Sequence, residues 1–246
     1  GNLQAANIGV SQDLCILECA QTLGLAHSSL LQVELKTSRG LGEQIKFALD
    51  LGYRKFAIGL GGSGTNDVGL GMLEELGYSF LDIDGKVVDG VLKNISQISQ
   101  IDASQLDSRL AESSFTILSD VTNLLSGTNG ASYVYGPQKG VRVEQLAGFD
   151  SGIIQFSQVA ADYFGFDMSI HAGAGAAGGL GYAFLQFLSG KLVSGVEYIL
   201  SELNVGEAIA NADIVLTGEG RSDVQTAQGK VALGVARLAK QSHTPV

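Results

Sequence analysis

The densest chemistry in the chain is Gly218-Glu219-Gly220-Arg221-Ser222-Asp223-Val224-Gln225-Thr226, which follows the apolar run from Asp213 to Leu216. Arg221 offers a two-pronged fork for a carboxylate or phosphate. Glu219 and Asp223 are carboxylates that can hold a cation or take a hydroxyl proton. The plain alternative is a set of surface ion pairs. A second candidate is Gly59-Leu60-Gly61-Gly62-Ser63-Gly64, which fits G-x-G-x-x-G and has Asp82 about twenty residues further on. Gly173 to Gly178 fits the same pattern without the acidic residue, so the pattern alone does not choose a ligand. Both loops place backbone N–H groups at the start of a helix, which attracts phosphate or carboxylate. The candidate contacts are Gly61, Gly62, Ser63 and Thr65 in the first loop and Gly175 and Gly178 in the second. Tight packing of helix on strand explains the same glycines without a ligand.

Three further positions carry charge at ordered places. Asp67 stands at the head of the helix after the first loop, as a hydroxyl-orienting group or as a helix cap. Asp120 ends a strand beside Asn123, as a Mg²⁺ ligand or a turn former. Lys139, within Gly136-Pro137-Gln138-Lys139-Gly140, reads as a cation fixed in a loop between turn residues, against the alternative of a solvated surface lysine. The histidines at 27, 171 and 243 show no metal spacing; only His171, beside the second glycine cluster, has any claim to a role.

The elements that position these groups follow from periodicity. Leu41, Ile45, Ala48 and Leu49 form a helical stripe that ends at Gly52. Lys55 to Leu60 reads as a buried strand, Thr65 or Asn66 as a cap, and Leu70, Leu73 and Leu76 as the buried face of a helix stopped by Gly77. Tyr78 to Ile83 reads as the next strand, the stretch to Ser113 as irregular, and Phe115 to Leu118 as a strand running into Asp120. Helices are expected over Val143 to Phe164, from the second glycine cluster to Leu188, and from Gln228 to Lys240. Ile214 to Gly220 reads as a strand and loop, and Thr244 to Val246 as a strand start. This order is that of an α/β protein with a mostly parallel sheet.

Composition limits the partners. A formal net charge of −10 with 34 glycines argues against nucleic acid or an anionic membrane, because such surfaces demand clustered cations. The most apolar stretch, Ala172 to Leu188, is rich in Gly and Ala and is no membrane span. Cys15 and Cys19, one helical turn apart if that segment is helical, read as reduced and buried, and the chain as cytoplasmic. It opens without Met and stops where an α/β repeat continues, so a fragment is expected.

Ile58 to Asp67, Gly136 to Gly140, Gly173 to Gly179 and Thr217 to Thr226 resemble, in order and approximate spacing, the signature segments of the bacterial glycerate kinases. The similarity extends over Thr37 to Ile45 and Gly229-Lys230-Val231. The resemblance implies ATP and Mg²⁺ as cosubstrates, glycerate or a similar hydroxy acid as the small-molecule substrate, and a phosphoglycerate as product. It also implies two domains, a flavodoxin-like parallel-sheet domain and an inserted mixed α/β domain. We place residues 36–82 and 205–246 in the first and 1–35 and 83–204 in the second. Two features depart from the family. Val68 separates Asp67 from Gly69, and Thr122 stands where a second carboxylate is usual. The family's opening Asp-Ser-Phe-Lys and Ala-Asp-Gly-Gly-Glu-Gly segments have no counterpart, so this polypeptide alone is open to being inactive.

In this reading Asp67, Asp120, Arg221 and Asp223 are catalytic, with Asp120 and Asp223 the metal ligands. Gly61, Gly62, Ser63, Thr65, Lys139, Gly175, Gly178 and Glu219 bind the nucleotide. A homodimer is the assembly left open. The rival readings are a nicotinamide-dependent oxidoreductase using Gly59 to Gly64, and a non-catalytic hydroxy-acid-binding module.

Overall fold

A computed structural model describes residues 4–25, 32–218 and 231–246. The chain forms two compact units, Gly1–Leu192 and Val193–Val246. In the first unit the elements run β1 (Gly9–Ser11), β2 (Leu14–Glu18), α1 (Cys19–Leu23), α2 (Arg39–Asp50), β3 (Lys55–Gly59) and α3 (Leu70–Glu75). They continue with β4 (Ser79–Leu81), β5 (Gln100–Asp102), β6 (Ser114–Leu118), α4 (Ala131–Lys139), α5 (Val143–Phe164), α6 (Ala176–Phe187) and β7 (Lys191–Val193). The main sheet has the order β1-β2-β3-β6-β7, and β4 pairs with β5 in a separate small sheet. This is a mixed α/β fold with a parallel-dominated sheet.

The centre of the sheet is β3, paired in parallel with β2 on one side and β6 on the other. Phe56, Ala57 and Ile58 are all buried, as a continuous apolar run must be in a strand covered on both faces. In register, Phe56 faces Cys15 and Phe115. The Phe56 and Phe115 rings stack at 5.0 Å. The expected stripe of α2 is buried at Leu41, Ile45, Ala48 and Leu49, and the chain leaves the helix through Gly52 at φ +95°. That value lies in the left-handed region that favours glycine. The face of α3 is buried at Leu70, Leu73 and Leu76, and α5 spans Val143–Phe164, the expected range. Phe156 on α5 meets Phe80 of β4 edge-on at 5.6 Å and stacks on Phe187 of α6 at 6.0 Å, joining the small sheet to the same core.

Several expectations differ from the structure. Tyr78 to Ile83 does not extend the main sheet, because β4 turns away to pair antiparallel with β5. β2 and β6 lie within the expected second domain, yet both pair with β3. The expected domain boundaries are therefore not those of the compact units. Asp213 to Leu216 forms no strand among the described residues, and its Val215 N–H donates to the Pro245 carbonyl at 2.9 Å. In the second unit α7 (Gly195–Glu202), α8 (Val205–Ala210) and α9 (Val231–Gln241) pack on one another, burying Leu200, Ile209 and Ala239. Among the described residues no helix is long and apolar enough to cross a membrane.

Cys15 and Cys19 are buried and unbridged. Burial alone pushes the Cys15 thiol up to about 11, and mainly burial pushes Cys19 up to about 12. Neither presents a thiolate at neutral pH. A thiol reagent at pH 7.5 is expected to label neither cysteine in the native protein within minutes and both after denaturation. Rapid native labelling of either would contradict the packing around β2.

Candidate active site

Between β3 and α3 the chain makes a ten-residue excursion, Leu60 to Gly69, longer than a glycine turn followed at once by a helix. Thr65 and Asn66 do not cap the helix; α3 begins at Leu70, after Gly69 in the left-handed region at φ +76°. The cap is Asp67. Its side chain is fully buried and takes hydrogen bonds from the N–H groups of Gly69 and Gly71, both at 3.3 Å. The Ser38 N–H and Oγ, at the head of α2, donate to the same carboxylate at 2.7 Å each. Ser38 Oγ in turn accepts from the Met72 N–H at 2.9 Å. Burial pushes the Asp67 carboxyl up, and the four donors pull it back toward the charged form. Asp67 thus ties the first turns of α2 and α3 together, and it does not line the cleft described next.

The C-terminal ends of β3 and β6 open into a cleft of about 340 Å³. Its lining brings together much of what the sequence singled out: Gly61, Gly62 and Ser63 of the first loop, Asp120 after β6, and Lys139. This is where open α/β sheets hold ligands. Lys139 is not in a loop. It is the last residue of α4, which continues through Pro137 and ends at Gly140 with φ +104°. The helix carries its ammonium into the protein, where only 5% of the residue remains exposed. Nζ donates to Ser63 Oγ at 3.0 Å and to the Thr65 carbonyl at 2.7 Å. Burial pulls the Lys139 pKa down to about 8. Lys36 donates to the Lys139 carbonyl at 3.2 Å and so caps the end of α4. Asp120 is exposed at the cleft rim.

The second glycine cluster acts differently from the expectation. Ala176 and Ala177 line the cleft, whereas Gly175 and Gly178 are buried behind it. The backbone turns left-handed at Ala177, Gly178 and Gly179, with φ of 54°, 73° and 91°, before α6 becomes regular. A Cβ on Gly178 would lie 2.2 Å from the Thr65 carbonyl oxygen, and one on Gly175 would lie 2.2 Å from that of Leu124. The Gly178 carbonyl accepts from the Val68 N–H at 3.0 Å. Gly178 lets the turn press on the first loop from behind and Gly175 lets it press on the chain after β6; neither lines the cleft.

Sequence reasoning missed Ser38, Ser132 and Tyr135. Ser132 Oγ accepts from Asn66 Nδ2 at 2.9 Å, and Tyr135 donates its hydroxyl to Asn123 Oδ1 at 2.6 Å. The Asn123 carbonyl accepts from the N–H groups of Gly173 and Gly175. Asn123 thereby links the exit of β6, α4 and the second glycine cluster. Ser38 and Ser132 are short polar residues at helix starts, a signal too common to single out, and Tyr135 lies inside α4 with no local mark of its partner. Asp82, the acidic residue of the dinucleotide pattern, accepts from the N–H groups of Asp84 and Lys86 at 2.9 Å and closes its own turn. Glu219, Arg221, Asp223 and His27 lie outside the described residues. Among the described residues no group of three or more His, Cys, Asp or Glu side chains forms a metal cage. Asp120 is the single carboxylate of the cleft lining, so the described residues do not by themselves fit Mg²⁺. An ammonium and a glycine backbone do suit an anion such as phosphate.

Fold and cleft together define an α/β protein with a crevice, lined by glycine backbone and a buried lysine, at the carboxyl edge of parallel strands. The chain belongs to the glycerate kinase family, whose model matches residues 1–246. It is 43% identical over 212 residues to the glycerate kinase of Haemophilus influenzae, covering 86% of this chain and 56% of that protein. With the glycerate 2-kinase of Escherichia coli it shares 40% identity over 248 residues, covering 98% of this chain and 64% of that protein. A solved structure from Salmonella typhimurium LT2 carrying a glycerate kinase 2 assignment superposes with a TM-score of 0.87 at 38% identity. That match covers 95% of this chain and 63% of the other. The chain therefore spans roughly three fifths of the length of these relatives.

Gly178→Ala is expected to cost about 2–4 kcal/mol, because it adds a Cβ at positive φ and against a backbone carbonyl that cannot move away. Urea unfolding of the variant checks this; a loss within about 0.5 kcal/mol would remove the close approach from the account.

Proposed function

We propose that the whole protein is an ATP-dependent kinase that phosphorylates glycerate, or a closely similar hydroxy acid, to a phosphoglycerate. In this reading the cleft holds the phosphate-bearing group. The observation that carries it is Lys139, a buried ammonium at the cleft lining whose two hydrogen bonds go to neutral oxygens of the glycine loop. The substrate comes from the names of the relatives.

When bound, ATP supplies the γ-phosphoryl group. Lys139 sets a positive charge against the anion, and its contacts to Ser63 and Thr65 fix the loop's shape before any ligand arrives. Gly61 and Gly62 let the anion approach the backbone without a side chain in the way. Asp120, at the rim, orients the acceptor hydroxyl. Phosphoryl transfer depends chiefly on such positioning and charge stabilisation. Arg221, Glu219 and Asp223 are assigned from sequence alone: Arg221 to substrate charge, Glu219 to the nucleotide, and Asp223 to Mg²⁺ together with Asp120.

A coupled ADP-release assay on the full-length protein, run across several small hydroxy acids, tests this reading. Glycerate-dependent ADP formation is expected, and Lys139→Met should lower kcat/KM by about 100-fold or more, as loss of a preorganised charge contact does. No ADP release with any acid would overturn the kinase reading. A variant within about threefold of wild type would take Lys139 out of it.

A further inference from the structure

The stretch Ser63–Asp67 is gripped from two sides by opposite charges that do not touch. Lys139 holds Ser63 and Thr65 from α4, while Asp67, two residues on, is held by the heads of α2 and α3. Both side chains are almost wholly buried. Neither has an ion-pair partner among the described residues. Burial without a counter-charge pushes a lysine toward its neutral form, and a direct salt bridge neutralises part of the charge a ligand would meet. The arrangement here avoids both. Four N–H and O–H donors occupy the Asp67 carboxylate and favour its charged form against the burial that pushes its pKa up.

We propose that Asp67 is a positioning residue: from behind the glycine loop it supplies the counter-charge that keeps Lys139 an ammonium, so that the cleft presents a cation to an anionic ligand. The proposal deepens the kinase reading, and its ligand class, a phosphate-bearing anion, rests on that reading.

The other groups around Lys139 do not substitute for Asp67. The Cys19 thiol, from α1, is neutral, since its pKa is pushed up to about 12. Lys36, ahead of α2, is a second cation and opposes the charge on Lys139. Tyr135 is held up by burial, so its hydroxyl is neutral, and Asp120 stands exposed at the rim. Of the charges acting on Lys139, Asp67 alone is a buried carboxylate that raises its pKa against the loss of solvation. The sign follows. With the lysine pulled down to about 8 by burial, the cleft is cationic below that pH and loses its charge above it. Anion affinity therefore falls as pH rises through about 8, and removing Asp67 moves that fall to lower pH.

The test uses this chain without substrates first. The Lys139 Cε resonance of ¹³C-lysine-labelled protein is titrated from pH 6 to 10 in wild type and Asp67→Asn, with Lys139→Met to assign it. A midpoint lower by about half a unit or more in Asp67→Asn supports the proposal, and an unchanged midpoint overturns it. Should that variant not fold, the Asp67 Cγ resonance of ¹³C-aspartate-labelled wild type decides. A shift with the same midpoint as Lys139 supports the pair, and a flat trace through that range overturns it. Calorimetry with inorganic pyrophosphate then reads the consequence in wild type, an affinity lower by about tenfold at pH 9 than at pH 7. Affinity that is flat with pH would overturn the link to the ligand. Pyrophosphate binding with this pH dependence but no ADP release from any acid would leave the Asp67–Lys139 pair standing and sink the kinase reading alone.

Discussion

The cleft depends on two stretches of backbone approaching more closely than side chains permit. The left-handed turn at Ala177–Gly179 lies against Thr65–Val68, with the Val68 N–H bonded to the Gly178 carbonyl. With that support behind it, the loop from Gly61 to Asp67 keeps one shape although it belongs to no helix or strand. Its front then offers glycine backbone to the cleft. Its back offers one carbonyl, one hydroxyl and one carboxylate to the helices around it. Glycine is needed at the contact for steric reasons and at the front for access, and the two demands fall on different residues.

Charge placement follows from this frame. A lysine buried to 5% exposure is expensive to keep protonated, and the depressed pKa of about 8 records that cost. α4 delivers Lys139 because Gly140 lets the chain turn off immediately after it, while Lys36 satisfies the carbonyl left at the helix end. The acidic side of the site is built from the opposite materials. Asp67 is satisfied by backbone N–H groups at two helix starts, where the local dipole favours a negative charge. The site thus sets an ammonium at the cleft and, behind the loop, a carboxyl surrounded by hydrogen-bond donors.

What the sequence made legible was whatever depends on local pattern. The stripe Leu41, Ile45, Ala48, Leu49 gave α2, the 22-residue periodicity gave α5 to its ends, and the apolar run before Gly59 gave the central strand. The first glycine loop and Asp120 could be read as neighbours because both follow strands of an α/β chain, whereas Lys139 reaches them from the end of a helix that read as a loop. Partnership was not readable. Tyr78 to Ile83 has a strand's composition, yet nothing local says that it pairs with β5 and not with β3. Gly136-Pro137 reads as a turn, yet α4 continues through Pro137 to Lys139. For Gly175 and Gly178, the pattern that suggests phosphate is equally the pattern of a backbone pressed on another backbone, and only the distances separate the two.

The contacts that shape the cleft also join parts of the chain that are made far apart in time. Lys139 reaches back 74 and 76 residues to Thr65 and Ser63, and the turn at Gly178 must come back to Val68. A polypeptide emerging from the ribosome therefore completes β2, α2, β3 and α3 well before it possesses a binding crevice. Such non-local closure is slow compared with helix formation. The described cleft thus waits on the synthesis of α6, whose Ala176 and Ala177 complete its lining.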